Sequence, residues 1–165
     1  MPLPLVTKRL RLRPATLDDI DVWLAISRDA EEAWFGEPRS KLDDARAKLE
    51  WHIEHQEQYG FASWAVELRA TGQVIGAAGL GHLGDSEEIE VGYRFLKEHW
   101  GLGYATEAAR AAIAFGFDEL GLRRTVAVAL PTNTASRRVM EKCGMHFVGV
   151  TTHHGLPHVK YAIAR

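Results

Sequence analysis

A short glycine-containing segment, directly before the most regular helical pattern, has the features of an anion-binding loop. It runs from Trp100 to Thr106 with the sequence WGLGYAT, and an alanine-rich helix follows. Glycine lets the backbone bend so that consecutive N–H groups converge on one anion, and the first turn of a helix adds further unpaired N–H groups. The segment therefore predicts a pyrophosphate site that requires neither a lysine nor a metal. The glycines by themselves are equally consistent with a loop that only connects a strand to a helix.

A second glycine-rich stretch, from Gly79 to Gly84, matches the dinucleotide-binding pattern GxGxxG. That pattern holds a pyrophosphate only where a helix begins directly after it. Here Asp85, Glu87 and Glu88 follow, in a segment that leads into another strand, and their carboxylates would repel a phosphate. The stretch is therefore predicted to be a turn between strands. Since no GxxxxGK[ST] pattern occurs either, nucleotide binding ranks behind the functions considered below.

Two polar residues, Asn133 and Ser136, are three positions apart at the start of a predicted helix that runs to Lys142. Residues at i and i+3 share one face of a helix, so both side chains can point into one cleft. The competing explanation is that Thr132 or Asn133 only caps the helix and that Ser136 lies on the surface. The pair alone leaves both explanations open.

The hydrophobic pattern places these segments in a mixed α/β fold. Helices are predicted after a cap at Thr16 or Asp18, and over 42–59, 105–120 and 133–142. Strands are predicted over 9–13, 61–68, 73–80, 88–95, 125–130, 145–151 and 159–164. The order β-α-α-β-β-β-α-β-α-β-β indicates an α+β arrangement around a largely antiparallel sheet, with one parallel pair where the long helix crosses over. We expect one domain over residues 1–165.

Composition limits the function classes. The chain has 20 Lys and Arg against 22 Asp and Glu, hence a net charge of −2, which argues against non-specific nucleic-acid binding. No run of ~18 to 20 apolar residues predicts a membrane span. The one cysteine, Cys143, cannot form an internal disulfide, and its spacing from Val139 and Met140 predicts a core position. We expect a soluble, cytoplasmic protein.

The histidines do not form a metal-binding pattern. There are eight, and they are scattered along the chain. His52 and His55 are neighbours on a predicted helix but have no carboxylate or cysteine at metal-ligand spacing. Neither HExxH nor CxxC occurs, so we expect no metal site.

Three segments together resemble the GNAT superfamily of acyl-CoA-dependent N-acetyltransferases, and within it the RimJ/RimL-type branch. They are TKRLRLRPATLDDID near the start, EIEVGYRFLKEHWGLGYATEAARAAIAFGF in the middle and LPTNTASRRVMEKCGMHFVG towards the end. The co-occurrence and order of these segments are more specific than any one of them. The resemblance implies the GNAT fold, with acetyl-CoA as the co-substrate.

The resemblance also implies which residues bind the cofactor. Gly101 to Thr106 correspond to the pyrophosphate loop of the family, whose form is Q/R-x-x-G-x-G/A, with Trp100 in the place of Gln or Arg. The pantetheine arm pairs with the backbone of the preceding strand, and the Asn that contacts its cysteamine end matches Asn133. The cofactor residues are thus expected to be Tyr93, Arg94, Phe95, Trp100, Gly101, Leu102, Gly103, Tyr104, Ala105, Thr106, Asn133 and Ser136.

The transfer of an acetyl group to an amine requires a base. A primary amine attacks a thioester only when unprotonated, and the pKa is near ~8 for an α-amino group and ~10.4 for lysine. Glu90, on the strand that enters the cofactor cleft, is the candidate base, acting through a water. Glu88 is the reserve, on the same strand face two residues earlier, and the two carboxylates are expected to raise one pKa. Alternatively, both are solvated charges on an exposed sheet face.

The departing thiolate needs a proton. Many family members carry a Tyr seven residues after the Asn that matches Asn133, but this position is Met140, which cannot donate a proton. In the RimJ/RimL-type branch a Ser three residues after that Asn is the proposed substitute. The resemblance therefore implies Ser136 as the general acid.

Two functions from different classes follow. One is an acetyl-CoA-dependent N-acetyltransferase that acts on a protein N-terminal amine or a small-molecule amine; the other is a catalytically silent acyl-CoA-binding module. Only the enzyme needs a base near the thioester, so Glu90 and Ser136 favour it. Trp34, Phe35 and Trp51 are candidates for the acceptor pocket, although aromatic residues at helical spacing more often form core. We expect a homodimer, although no residue pattern in the sequence indicates one.

Overall fold

The computed structural model describes residues 2–165, which form one eight-stranded sheet covered by four α-helices. The strands are β1 (Leu5–Val6), β2 (Leu10–Arg13), β3 (Ser63–Leu68), β4 (Val74–His82), β5 (Ile89–Phe95), β6 (Arg124–Ala129), β7 (His146–His153) and β8 (Leu156–Ala164). The helices are α1 (Ile20–Phe35), α2 (Leu42–Tyr59), α3 (Tyr104–Asp118) and α4 (Thr134–Lys142), and 3-10 turns cover Leu17–Asp19 and Lys97–His99. This confirms the predicted fold class and element order, to which the structure adds the short strand β1.

The sheet is antiparallel except at one pair of strands. Its order is β1-β2-β3-β4-β5-β6-β8-β7, and only β5 and β6 run parallel, where α3 crosses over. Those two strands are in register only at Glu90 and Val126, whereas β5 pairs with β4 along its whole length. Beyond Glu90 the edge of β5 that faces β6 has no strand partner, so the sheet opens into a cleft there.

Helices cover both faces of the sheet. On one face α3 presents Ala108, Ala109 and Ala112, all at most 1% exposed, to a core that contains Trp64 and Leu80. These small side chains let the helix lie close to the sheet. A smaller cluster on the other face joins residues of α1 and α2 to the sheet: Trp23, Ile26, Leu49, Ala65 and Ala77. The two layers hold the cleft between β5 and β6 in a fixed position.

The stretch from Gly79 to Gly84 was predicted as a turn between strands, but its first four residues are the end of β4 and only its last two belong to the turn that leads to β5. Gly79 is required by a close backbone approach. A Cβ there would lie 1.9 Å from the carbonyl oxygen of Ala62, and the amide of Leu80 donates to that same oxygen. No helix within residues 2–165 is both long and apolar enough to cross a membrane.

Candidate active site

A cavity of about 440 Å³ lies where β5 and β6 separate. Five of the predicted site residues line it: Glu90, Tyr93, Arg94, Asn133 and Ser136. The rest of its wall includes residues of α2 and of the β7–β8 hairpin: Lys48, Trp51, His52, His153, His154 and His158. Phe95 and the predicted anion-binding loop lie outside this wall, on the chain that continues from β5. The structure therefore brings the predicted base and acid together in one cavity.

The anion-binding loop is open for a ligand. Gly101 and Gly103 have φ angles of 75° and 83°, which an L side chain rarely adopts, and Gly103 is the N-cap of α3. The amides of residues 101–106 donate no hydrogen bond to any acceptor within residues 2–165. A series of unpaired N–H groups at a helix N-terminus attracts a phosphate. The loop thus has the donor set that a pyrophosphate requires.

The start of the chain clamps this loop from outside. The carboxylate of Glu107 accepts hydrogen bonds from the hydroxyl of Thr7 at 2.6 Å and from the Nε of Arg9 at 2.8 Å. The guanidinium of Arg9 also donates to the carbonyl of Leu102 at 3.0 Å and lies 4.3 Å from the ring centre of Tyr104. The TKRLRLRP segment therefore positions the anion-binding loop from a distance of about a hundred residues in sequence.

Trp100 fastens the loop to the strand. Its indole Nε1 donates to the carbonyl of Phe95 at 2.7 Å. Trp100 stands where the family has Gln or Arg, and this hydrogen bond gives it a structural role. The same bond occupies the carbonyl of Phe95 at the end of β5.

Glu90 has the environment of a base at neutral pH. Its side chain is partly buried and makes no hydrogen bond or ion pair within residues 2–165. Burial raises the pKa of the Glu90 carboxyl to about 7, and the positive charge of Arg94 opposes that shift. A base is most effective when its pKa lies near the working pH.

Glu88 does not fit the reserve role predicted for it. It precedes β5 and does not line the cavity; instead its carboxylate is hydrogen-bonded to Lys160 and Arg124. The hydrogen bond from Lys160 lowers the pKa of the Glu88 carboxyl, and the charges of both cations add to the effect. The expectation that the two carboxylates raise one pKa was wrong, because burial and not Glu88 raises that of Glu90.

Asn133 both caps α4 and faces the cavity. Its Oδ1 accepts from the amide of Ser136 at 3.0 Å, which confirms the capping explanation. Its amide nitrogen makes no hydrogen bond within residues 2–165 and is free to donate to a ligand. The capping and cofactor-binding explanations are therefore compatible, since they use different atoms of one side chain.

The phenol of Tyr93 contacts Ser136. Its hydroxyl lies 3.0 Å from both the carbonyl oxygen and the Oγ of Ser136. Burial raises the pKa of Tyr93, so the phenol keeps its proton. Sequence reasoning assigned only the backbone of Tyr93, although alternation along β5 already placed its side chain on the face opposite Glu90. Met140 is 1% exposed and fills the cavity wall where many family members carry a tyrosine.

The cavity wall carries two cations. Lys48 and Arg94 line the wall, and neither donates a hydrogen bond within residues 2–165. Burial lowers the pKa of both groups, and their mutual repulsion lowers that of Lys48 further. Of the three aromatic residues considered for an acceptor pocket, Trp51 belongs to this wall and Trp34 and Phe35 lie outside it, and all three are exposed. Contact of Trp51 with an acceptor stays a prediction.

Other predicted residues keep structural positions. Cys143 packs against the main core, and burial raises the pKa of its thiol, so it is not an activated nucleophile. Within residues 2–165 no three His, Cys, Asp or Glu side chains are arranged to hold a metal ion.

A sheet that opens at one parallel pair, beside a loop of unpaired amides, is what the resemblance to the acyl-CoA-dependent acyltransferases implies. The comparisons agree. The sequence profile of the acetyltransferase (GNAT) domain matches residues 9–146. The uncharacterized N-acetyltransferase YoaA of Bacillus subtilis is 33% identical over 150 residues, 88% of this chain and 84% of YoaA. An acetyltransferase structure from Agrobacterium tumefaciens has 25% identity and a TM-score of 0.85, covering 98% of this chain and 94% of that one.

The RimJ structure of Mycobacterium smegmatis, solved in complex with a CoA-disulfide, shares the fold. It has 22% identity and a TM-score of 0.75, over 94% of this chain and 81% of RimJ. The chain belongs to the GNAT acetyltransferase family and is an acetyl-CoA-dependent N-acetyltransferase. RimJ and RimL enzymes are among its structural neighbours.

Proposed function

We propose that this protein transfers the acetyl group of acetyl-CoA directly to a primary amine, with Glu90 as the base and Ser136 as the acid. The acceptor is a protein N-terminal α-amine or the amine of a small molecule. The observation that carries the proposal is a carboxyl with a pKa of about 7 and no hydrogen-bond partner, which shares the cavity between β5 and β6 with the hydroxyl of Ser136.

The residues present fit coenzyme A. The unpaired amides of residues 101–106 would hold the pyrophosphate, and the edge of β5 at Tyr93, Arg94 and Phe95 would pair with the pantetheine arm, Phe95 through its amide because Trp100 already donates to its carbonyl. The free amide nitrogen of Asn133 would donate to the cysteamine end. When bound, the thioester supplies a carbonyl carbon open to attack. Binding through the backbone explains why the loop needs no lysine.

Glu90 prepares the amine. A carboxylate with a pKa near 7 is substantially ionised at neutral pH and accepts a proton from an ammonium group through a water. Lys48 and Arg94 help, because positive charges nearby lower the pKa of a bound ammonium and favour the neutral amine. The catalytically silent alternative does not account for an uncompensated carboxyl at this position.

Ser136 is placed to protonate the departing thiolate. Its hydroxyl is hydrogen-bonded to the phenol of Tyr93, so a proton that Ser136 gives up is replaced by that of Tyr93 while the phenol regains one from solvent in the same step, which leaves it neutral as its raised pKa requires. This pair takes the place of the single tyrosine that Met140 replaces. Tyr93 and Ser136 together then supply the acid function.

Release of free thiol from acetyl-CoA across an amine panel tests the proposal. The panel contains N-terminal peptides and matched small amines with and without a carboxylate, such as histidine with histamine. Because neither Lys48 nor Arg94 forms a salt bridge or donates a hydrogen bond within residues 2–165, we expect the carboxylate-bearing member of each pair to react faster. Tight binding of CoA without thiol release from any amine would instead support the silent module.

Replacement of Ser136 by alanine should lower kcat by about 10- to 100-fold, because water then has to protonate the thiolate. Tyr93→Phe, which keeps the serine hydroxyl but removes its hydrogen bond, should lower kcat by less than about tenfold. Steady-state kinetics with a fixed amine measures both effects. Thr134→Ala removes a hydroxyl from the exposed side of the same helix and is the matched control. Wild-type turnover in Ser136→Ala would show that water alone is sufficient.

A further inference from the structure

A pair of histidines connects the active-site cavity to a second cavity. His55 of α2 is 5% exposed, and its Nδ1 lies 2.7 Å from the carbonyl oxygen of Phe61. Its Nε2 lies 2.8 Å from the Nδ1 of His82, at the end of β4. The two rings thus form a hydrogen-bonded chain that starts at a backbone carbonyl and ends at the Nε2 of His82.

The carbonyl at the start of this chain determines where the protons are. A carbonyl oxygen only accepts, so the Nδ1 of His55 must carry the proton. Burial lowers the pKa of His55 and keeps the ring neutral, which leaves its Nε2 as an acceptor. His82 must then donate from Nδ1, and the Nε2 of its neutral ring is left unprotonated. The chain therefore presents a basic nitrogen at a defined position.

His82 lies between the two cavities. It lines the cavity of about 440 Å³ together with Glu90, and it pairs in the sheet with Ile89, the residue before Glu90. It also lines a second cavity of about 320 Å³. Most of that wall is exposed, including Glu54, Tyr59 and Asp85. His82 therefore lies on the wall that the two cavities share.

The reaction must release one proton. An ammonium acceptor and acetyl-CoA yield an amide, free CoA thiol and one proton in excess, with no oxidant or reductant involved. We propose that His82 passes this proton from Glu90 to solvent through the second cavity, and that His55 is a positioning residue that keeps the Nε2 of His82 free to receive it. This inference rests on the proposed function, since it assumes that Glu90 takes the proton from the amine.

The proton path is balanced. Glu90 takes a proton from the amine nitrogen, and the Nε2 of His82 takes it from Glu90 through a water, since no direct hydrogen bond joins the two side chains. The imidazolium then loses a proton from the same Nε2 to water of the second cavity, because its Nδ1 stays hydrogen-bonded to His55, and both residues return to their starting states.

Charged groups line the cavities on both sides of His82. Glu54 of α2 and Asp85 of the loop after β4 line the second cavity. Glu90, Lys48 and Arg94 line the active-site cavity. Tyr59 packs its ring 4.7 Å from the ring of His82. The proposed path therefore leads from a cavity with two cations to one with two exposed carboxylates.

Turnover of His82→Gln tests the relay. We expect kcat to fall by about tenfold or more, with recovery on addition of imidazole, because a diffusible base replaces the missing ring. His146→Gln changes an exposed histidine outside both cavities and should keep wild-type kinetics. Wild-type kcat in His82→Gln would overturn the relay, and so would a loss of activity that imidazole does not restore.

A measurement on the free protein separates the relay from the proposed function. Nitrogen-15 NMR of the imidazole rings should show His55 and His82 both protonated at Nδ1, with the Nε2 of His82 unprotonated at high pH. A His82 protonated at Nε2 would overturn the inference whatever the activity. If the tautomers are as expected but no amine is acetylated by the wild type, the proposed function fails and the relay, which depends on it, is overturned as well.

Discussion

The Glu90→Gln variant should transfer acetyl groups about 10²- to 10⁴-fold more slowly than the wild type, with unchanged affinity for CoA. Loss of a positioned general base costs rate to about this extent, and the amide of glutamine cannot accept the proton. The binding of CoA should be preserved, because the unpaired amides of the anion-binding loop lie outside the cavity wall that holds Glu90. Single-turnover kinetics and calorimetry measure the two quantities separately.

The pH dependence gives the sharper test. In the wild type, kcat/KM should rise with pH through about 7, because Glu90 acts only when it is ionised. This rise should be absent from Glu90→Gln. Glu88→Gln is the matched control. Glu88 is two positions from Glu90, but its carboxylate is hydrogen-bonded to Lys160 and Arg124 and does not line the cavity. A pH profile of Glu90→Gln that keeps the rise near 7 would assign it to another group.

The same substitution should stabilise the fold above neutral pH. The pKa of Glu90 is raised from 4.5 to about 7 on folding, so the folded state binds the proton more tightly than the unfolded chain does. The free energy of unfolding therefore falls as pH rises through this window and is lowest above pH 7, by at most about 3 kcal/mol. Glutamine does not ionise, so the variant does not lose this unfolding free energy. Urea denaturation should show Glu90→Gln more stable than the wild type at pH 8 and no more stable at pH 4.

Local pattern was sufficient for most of the fold. The polar outer face and apolar spacing of residues 42–59 predicted α2 at its observed bounds. The small residues of α3 predicted a helix that packs on the sheet, and Gly103 and the helix start predicted the anion-binding loop. Strand β1 was missed because its two residues, Leu5 and Val6, are too few to show any alternation.

The candidate site depends on contacts that local pattern cannot show. The hydrogen bonds of His55 with His82, Ser136 with Tyr93 and Arg9 with Glu107 span 27, 43 and 98 residues. Which partners meet is decided by strand order and helix packing. Glu88 illustrates the error that results: alternation along β5 placed it beside Glu90, but Arg124 and Lys160 reach it from β6 and β8 and hold its carboxylate as an ion pair.

The Gly103→Ala variant should bind CoA about tenfold or more weakly, a loss of about 1.4 kcal/mol. Gly103 has a φ of 83°, where an L side chain is strained, and a Cβ there would lie 3.3 Å from a guanidinium nitrogen of Arg9. Relief of the backbone strain or of the contact with Arg9 rotates the peptide units whose N–H groups would face the pyrophosphate. Titration calorimetry with CoA measures the change directly.

Gly60→Ala separates the loss of the anion site from simple backbone strain. Gly60 has nearly the same φ, 79°, at the end of α2, where a Cβ would meet nothing within 4 Å. Both variants should lose about 1 kcal/mol of unfolding free energy, because both force alanine into a left-handed conformation. Only Gly103→Ala should lose CoA affinity. Equal affinity in the two variants would mean that the amides of residues 101–106 do not hold the pyrophosphate, since displacing them would then have no effect on binding.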